Sequence, residues 1–508
     1  MRRTKRLARV LLTMTTALTS LAALSACTDA NTASTPGGKK DTLVLGSTAD
    51  IQGWDPANQP SFQGWPADAV YQTLTRFDAL GKPQPDAATK WEVNSDNTAV
   101  TFHLREGMKF SDGEPVDAEA IKVGFDYQAS HGGQAARLSD YKATTPDSMT
   151  VKLTSSKPDP GIVGMGGIKV ASPKYLKAGN LNKAPVGSGP YTLDAAKTTR
   201  GSTYTFVKNE DFWDAKTFPY KKLVVKVLKN QTAALNALKT GQIDGTLIQQ
   251  SMYKEAIASD LRVLGMRGNT TRLLLMDHKG EKIPALGELK VRRALNMLFD
   301  KKSLAKDFYQ GRAVPANQIF RPGSDAYIDD LKDPYPYDPA EAKRLMKEAG
   351  YEKGFTVTFP LFGGLGMEEL IPVVAQELSQ LNIKVKQKTL SGPTAVEELL
   401  SGKYPMILWP LGNYGDSKQD IKDYVLDDGI WNVMHQPDPT VTKLWDRFLT
   451  STGQEAKEIQ QELNRYTIEQ AWNVPLAYPE GFYAYSPKIR IPEMTDSNAL
   501  NPRLWDYK

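Results

Sequence analysis

Cysteine is all but absent from this 508-residue chain, in which Cys27 is the single thiol. That excludes an intramolecular disulfide and a zinc–thiolate centre, and beyond residue 27 it excludes a cysteine nucleophile. Histidine is nearly as scarce, and His103, His131, His278 and His435 are too dispersed to suggest a local metal site. Neither a Gly-x-x-x-x-Gly-Lys-Ser/Thr loop, nor a His-Glu-x-x-His pair, nor a Gly-x-Ser-x-Gly elbow occurs. P-loop phosphate binding, zincin proteolysis and α/β-hydrolase chemistry therefore have no template here. Net charge is also missing once the N-terminus is set aside. Of the formal +5, the first 26 residues carry Arg2, Arg3, Lys5, Arg6 and Arg9 and no acid, which leaves the remainder neutral. No nucleic-acid footprint follows.

Fragments of a penicillin-binding signature do occur: Ser303–Lys306 and Ser251–Lys254 as Ser-x-x-Lys, then Ser95-Asp96-Asn97 and Lys239-Thr240-Gly241. Their order is wrong, since the Ser-Asp-Asn loop precedes the serine-lysine pair and Lys-Thr-Gly falls at a helix end rather than in a strand. A secreted cell-wall serine hydrolase is left as a remote alternative. No catalytic residue is assigned, and no cofactor or metal is expected.

What is present begins at the N-terminus. The cations precede an interrupted apolar stretch from Val10 to Leu24, which ends in Leu24-Ser25-Ala26-Cys27. That order is a secretory leader, too short and too threonine-rich for a membrane span. The ending resembles the bacterial lipobox, which implies cleavage before Cys27 and a diacylglyceryl group on its sulfur. Residues 1–26 read as a lipoprotein signal peptide. Residues 27–40, small, polar and bearing Pro and Gly, read as a flexible tether reaching roughly 20 Å. The expected location is the outer face of a bacterial cell membrane, with the lipid as anchor. No later stretch is apolar enough to cross a bilayer.

From Thr42 onward, strand and helix signals alternate. Thr42–Gly46 reads as a buried strand, and Thr98–Leu104 as a half-buried one with Val100, Phe102 and Leu104 on one face. Asp117 opens a helix that turns Ile121 and Phe125 inward. Leu223–Leu228 is a further strand, and Asn230 caps a helix that Gly241 terminates. Val291, Ala294, Leu295 and Leu298 have helical spacing. Asp338-Pro-Ala-Glu341 is a capping box whose helix ends at Gly350. Two more helices are expected, around 367–381 and 455–472. The class is α/β without internal repeats.

The segment Thr98–Tyr127 resembles the signature region of the extracellular solute-binding proteins of family 5, the oligopeptide, dipeptide and nickel receptors of ABC importers. Its matching core is Phe102-His-Leu-Arg105, Gly107, Phe110-Ser-Asp-Gly113 and Pro115-Val116. Further matches are Pro185–Tyr191 (PVGSGPY), Asn209–Trp213 (NEDFW), Leu235–Asp244 (LNALKTGQID), Val291–Leu304, Tyr337–Tyr351 and Leu463–Leu476. The resemblance implies a two-lobed periplasmic-binding-protein-like fold (type II, cluster C) with an extra subdomain in the first lobe. By analogy lobe I would use residues 41–82, 187–275 and 480–508, the subdomain 83–186, and lobe II 276–479. It also implies a monomeric receptor that closes on a ligand and delivers it to the permease subunits of an ABC transporter, ATP hydrolysis belonging to a separate subunit.

For the ligand, the resemblance points to a strand written Trp-x-x-Asp whose acid pairs with a peptide's α-ammonium. Trp409 matches, but the acid position falls on Gly412 or Asn413, and neither carries charge. The candidate ligand-binding residues are Trp54, Asp55, Trp409, Asn413, Tyr414, Asp416 and Trp431. Asp55 or Asp416 would have to replace the missing countercharge. An oligopeptide is the first expectation. Because Asn413 and the aromatic faces also suit a polyol, a carbohydrate or other neutral solute is the alternative.

Overall fold

The computed structural model describes residues 41–491, apart from 52, 59–64, 78–81, 132–137, 180, 182–183, 268–269, 362–366, 391–394 and 412–416, together with 506–507. Among these residues the dominant element is a ten-stranded sheet. It is built along one long strand, Asn473–Tyr485. The C-terminal part of that strand pairs antiparallel with Gly245–Ile248 on one side and Arg262–Arg267 on the other. Its N-terminal part pairs with Thr270–Leu275 and with Ala313–Pro315. The first half of the sheet continues through Thr42–Ser47, Lys222–Val227, Thr203–Lys208 and Tyr191–Leu193. The second half ends at Met406–Leu411.

Both faces of the second half are covered, which is why its strands read as unbroken apolar runs rather than as alternations. Leu273, Leu275, Met406 and Leu408 face one helical layer that includes Leu289–Met297, Pro339–Glu348 and Met367–Ser379. Leu274, Met276, Ile407, Trp409 and Leu411 face the other, where Ser417–Tyr424, Pro439–Leu449 and Gly453–Glu469 pack. The Asp338 cap is formed, with its carboxylate accepting from the Glu341 amide at 2.9 Å. The returning half of the expected box is not, because the Glu341 carboxylate turns to Arg344 instead.

A separate four-stranded sheet, in the order Ala88–Val93, Ala99–Leu104, Thr150–Ser155, Tyr141–Asp147, packs on the helix Ala118–Ser130. Val100, Phe102 and Leu104 join Ile121 and Phe125 in its core. Asp117 caps the helix by accepting from the Ala120 amide at 2.8 Å, and Gly113, at φ +89°, makes the turn before it.

Three sequence motifs that lie far apart in the chain meet in space. Gly187 accepts from the Ser111 amide at 2.9 Å, while the Gly189 amide donates to the Val70 carbonyl at 2.8 Å. Asn209 closes the same turn, its side-chain amide donating to Gly189 O at 3.0 Å. Four residues on, Trp213 lies under the Arg105 guanidinium, 3.6 Å from ring centroid to Cζ. A fourth motif ends in Asp244, whose buried carboxylate accepts from the Val44 amide at 2.8 Å and so fastens the first strand. These residues build scaffold. A Cβ on Gly189 would stand 2.5 Å from the Val70 backbone. Gly189→Ala is therefore expected to destabilise the fold by about 1–3 kcal/mol, to be read as a lowered midpoint in denaturant unfolding.

Candidate ligand site at the strand crossover

The chain passes between the two halves of the main sheet twice, between Arg267 and Thr270 and again within the long strand at 479–480. Just past the first passage the ladder is irregular: Thr271 pairs with Ala477 and Arg272 with Pro475, so one residue of the long strand is skipped. Pro475 has no amide hydrogen to give the ladder, and a bulge of this kind re-aims the side chains beside it. On its other edge Arg272 lies opposite Trp409.

Arg272 is 0% exposed. Its guanidinium sits over the Tyr424 ring at 4.5 Å, and Nη1 makes a long bond to the Ile319 carbonyl at 3.5 Å. Nε and Nη2 are buried and make no hydrogen bond. Burial lowers its pKa from the usual arginine range, opposed by the nearby Tyr424 and Asp420. Around it, Thr270 Oγ1 donates to Ile319 O at 3.3 Å, and the Tyr478 hydroxyl lies 2.6 and 2.7 Å from the Gln318 and Phe320 carbonyls. Burial drives the Tyr478 pKa well above that of a free phenol, so its ring is a neutral wall. The Thr270–Leu275 run is otherwise apolar or hydroxylic. A lone arginine in such a strand was the sequence signal for this site, and it was missed.

Trp409 is 8% exposed and packs against Trp431, with ring centroids 5.6 Å apart and planes tilted by 41°. Of the candidate residues, these two are brought together. Asn413, Tyr414 and Asp416 lie outside the described residues, as does Cys27.

Trp54 and Asp55 occupy a different setting. Trp54, 2% exposed, presents its indole to the edges of Tyr204 and Phe206 at 6.1 and 5.9 Å. The Asp55 carboxylate caps the short turn Pro56–Asn58 by accepting from the Ala57 amide at 2.9 Å and from the Asn58 side chain at 3.0 Å. It also takes a bond from the Tyr127 hydroxyl at 3.3 Å. Burial and that carboxylate push Tyr127 up to about 12.

The small four-stranded sheet and its loops touch the helical layer beside Trp409. Lys418 Nζ donates to the Pro160 carbonyl at 2.7 Å, and Asn97 Nδ2 to the Leu449 carbonyl at 3.3 Å. The fragments of the penicillin-binding signature serve elsewhere: Ser303 Oγ donates to Asp300 in a helix cap, and Gly241 closes the helix Gln231–Lys239. Among the described residues no group of three His, Cys, Asp or Glu is placed to hold a metal, and no helix is long and apolar enough to cross a membrane.

Solved structures share this architecture. CtaP, an ABC transporter substrate-binding protein from Listeria monocytogenes, superposes with a TM-score of 0.79 at 21% identity over 92% of this chain and 100% of that one. NikA from Brucella suis, in complex with Fe(III)-EDTA, gives 0.80 at 21% identity over 92% and 100%. The fold is thus the two-lobed α/β fold of the periplasmic binding proteins. Residues 82–430 match the bacterial extracellular solute-binding proteins, family 5 Middle, and the chain belongs to that family. Its curated relatives include heme-binding protein A of Haemophilus influenzae, 30% identical over 322 residues, which are 57% of this chain and 58% of that protein. The glutathione-binding protein GsiB of Escherichia coli is 29% identical over 357 residues, 65% of this chain and 66% of its own length. The match thus spans 58% and 66% of the length of these two relatives.

If the Trp409 ring is a ligand platform, Trp409→Ala is expected to weaken binding at least tenfold, about 1.4 kcal/mol. Unchanged calorimetric titration of that variant would remove Trp409 from the site.

Proposed function

We propose that this chain is the solute-capturing receptor of an ABC importer and that it does no chemistry of its own. The observation that carries this reading is the double passage of the backbone between two sheet halves. Two adjacent strand crossings are what a hinge needs, because a few backbone torsions can then swing one body against the other. Solute held at the crossover would touch both bodies and favour the closed state by its differential affinity. The bonds from Lys418 to Pro160 and from Asn97 to Leu449 join the four-stranded sheet unit to the helices beside Trp409, as a closed form requires. The lobe assignment implied by the resemblance is proposed with one change: Thr270–Leu275, which it put in lobe I, pairs within the second sheet half and goes with lobe II.

An oligopeptide is the solute proposed first. The neutral-solute reading rests on Asn413 and the aromatic residues, of which Trp409 and Trp431 stand together and offer the surface that sugars stack on. The closed receptor would dock on permease subunits as a monomer. Ligand-binding roles are proposed for Trp409, Asn413, Tyr414, Asp416 and Trp431, and for Trp54 and Asp55 beyond the packing and capping they do in their own turn.

Native mass spectrometry of the soluble chain from residue 28 tests the ligand class. A co-purified peptide mass is expected, and a sugar mass would overturn the peptide assignment. A lipid on Cys27 is proposed to hold the receptor at the membrane. Cys27→Ser should then move the protein from the membrane fraction to the soluble fraction. Retention in the membrane fraction would refute the anchor.

A further inference from the structure

Among the described residues at the crossover, Arg272 is a buried cation with two nitrogens that the packing leaves without a partner. A buried donor without a partner is costly, and more so when it is charged. Arg272 carries two such donors, Nε and Nη2. Among the described residues no carboxylate lies within ion-pair distance of its guanidinium. Asp420, buried on the helix Ser417–Tyr424, acts on it only through space. The Tyr424 ring over the guanidinium and the Ile319 carbonyl at Nη1 hold the group in place without neutralising it.

The pattern of satisfied and unsatisfied nitrogens is specific. Nε and Nη2 lie on the same edge of a guanidinium and form the side-on fork that takes a carboxylate through two parallel N–H···O bonds. Nη1, outside that fork, is the nitrogen the protein uses. The ladder irregularity at Thr271/Arg272 and Pro475 lies where this side chain leaves the sheet.

We propose that Arg272 is an anion-binding residue of the ligand site, and that the captured solute carries a carboxylate, or an equivalent planar anion, which seats on the Nε–Nη2 edge. This deepens the receptor reading above and rests on it. It assigns the solute a polarity: where the resemblance expects an acid to hold a ligand cation, this chain has Gly412 or Asn413, and the strand Thr270–Leu275 instead presents a cation. A peptide would be held by its C-terminal carboxylate and a carbohydrate would have to be a sugar acid, while an uncharged sugar would leave the fork empty.

The test compares matched probes on the soluble chain from residue 28: an equimolar tripeptide pool as free acids, the same pool as C-terminal amides, gluconate, and glucose. Native mass spectrometry and calorimetry read the binding. The free-acid member of a pair is expected to bind at least tenfold more tightly than its neutral counterpart. Arg272→Gln should abolish that difference, and Arg272→Lys, which keeps the charge and loses the fork, should restore only part of it. The wild-type acid-against-amide comparison stands even where a variant does not fold, which circular dichroism will show. Equal binding of acids and amides overturns the role of Arg272 and leaves the peptide reading intact. Binding of gluconate without either peptide pool overturns the peptide reading and supports Arg272. Binding of glucose as tightly as gluconate, or of none of the probes, overturns the proposal.

Discussion

The strand Asn473–Tyr485 is the constraint on which the rest of the molecule depends. It supplies partners to both halves of the main sheet, so neither half satisfies its backbone donors and acceptors without it. A single extended segment of 13 residues therefore links two bodies that have separate hydrophobic cores. Rigidity inside each body and freedom between them come from the same element. Hydrogen bonds run across its length, and only at the passage around 479–480 do its partners change.

Much of the scaffold was legible because its causes are local. The alternation of Val100, Phe102 and Leu104, the Asp117 cap and the Gly241 stop each depend on neighbours within a few residues, and each is formed. Asp338 shows where local reading ends. The cap is made, but the Glu341 carboxylate has a choice of partners and takes the guanidinium one turn along the helix. The glycines of the Pro185–Tyr191 turn were recognisable as a motif, yet their reason lies in the backbone of Val70, more than a hundred residues earlier.

The candidate site was less legible. Trp54 follows the first strand and came into the candidate set by the resemblance. It is buried by Tyr204 and Phe206, on a strand that no pattern near residue 54 announces. The Asp55 carboxylate takes bonds from its own turn and from Tyr127, neither of which the residues around it announce. Arg272 is the converse. Its surroundings come from Ile319, Trp409, Tyr424 and Pro475, four stretches of chain that only the fold assembles. A charged side chain inside Thr270–Leu275 breaks the apolar pattern of a buried strand, and such breaks in local consistency fall where a structure has a task besides stability.

The position of the long strand in the chain has a consequence for how the protein is made. Of the strands in the ten-stranded sheet it is the last to be synthesised, and Thr42–Ser47 is the first. The two belong to one sheet, joined through Gly245–Ile248. Until residue 485 has emerged, both halves carry an open edge where the long strand belongs. A nascent chain of this design can form its local units, such as the helix Ala118–Ser130 on its four-stranded sheet, and cannot lock them into a finished body. Closure of the main sheet is withheld until the long strand has been made, and a polypeptide in that state can still be threaded across a membrane.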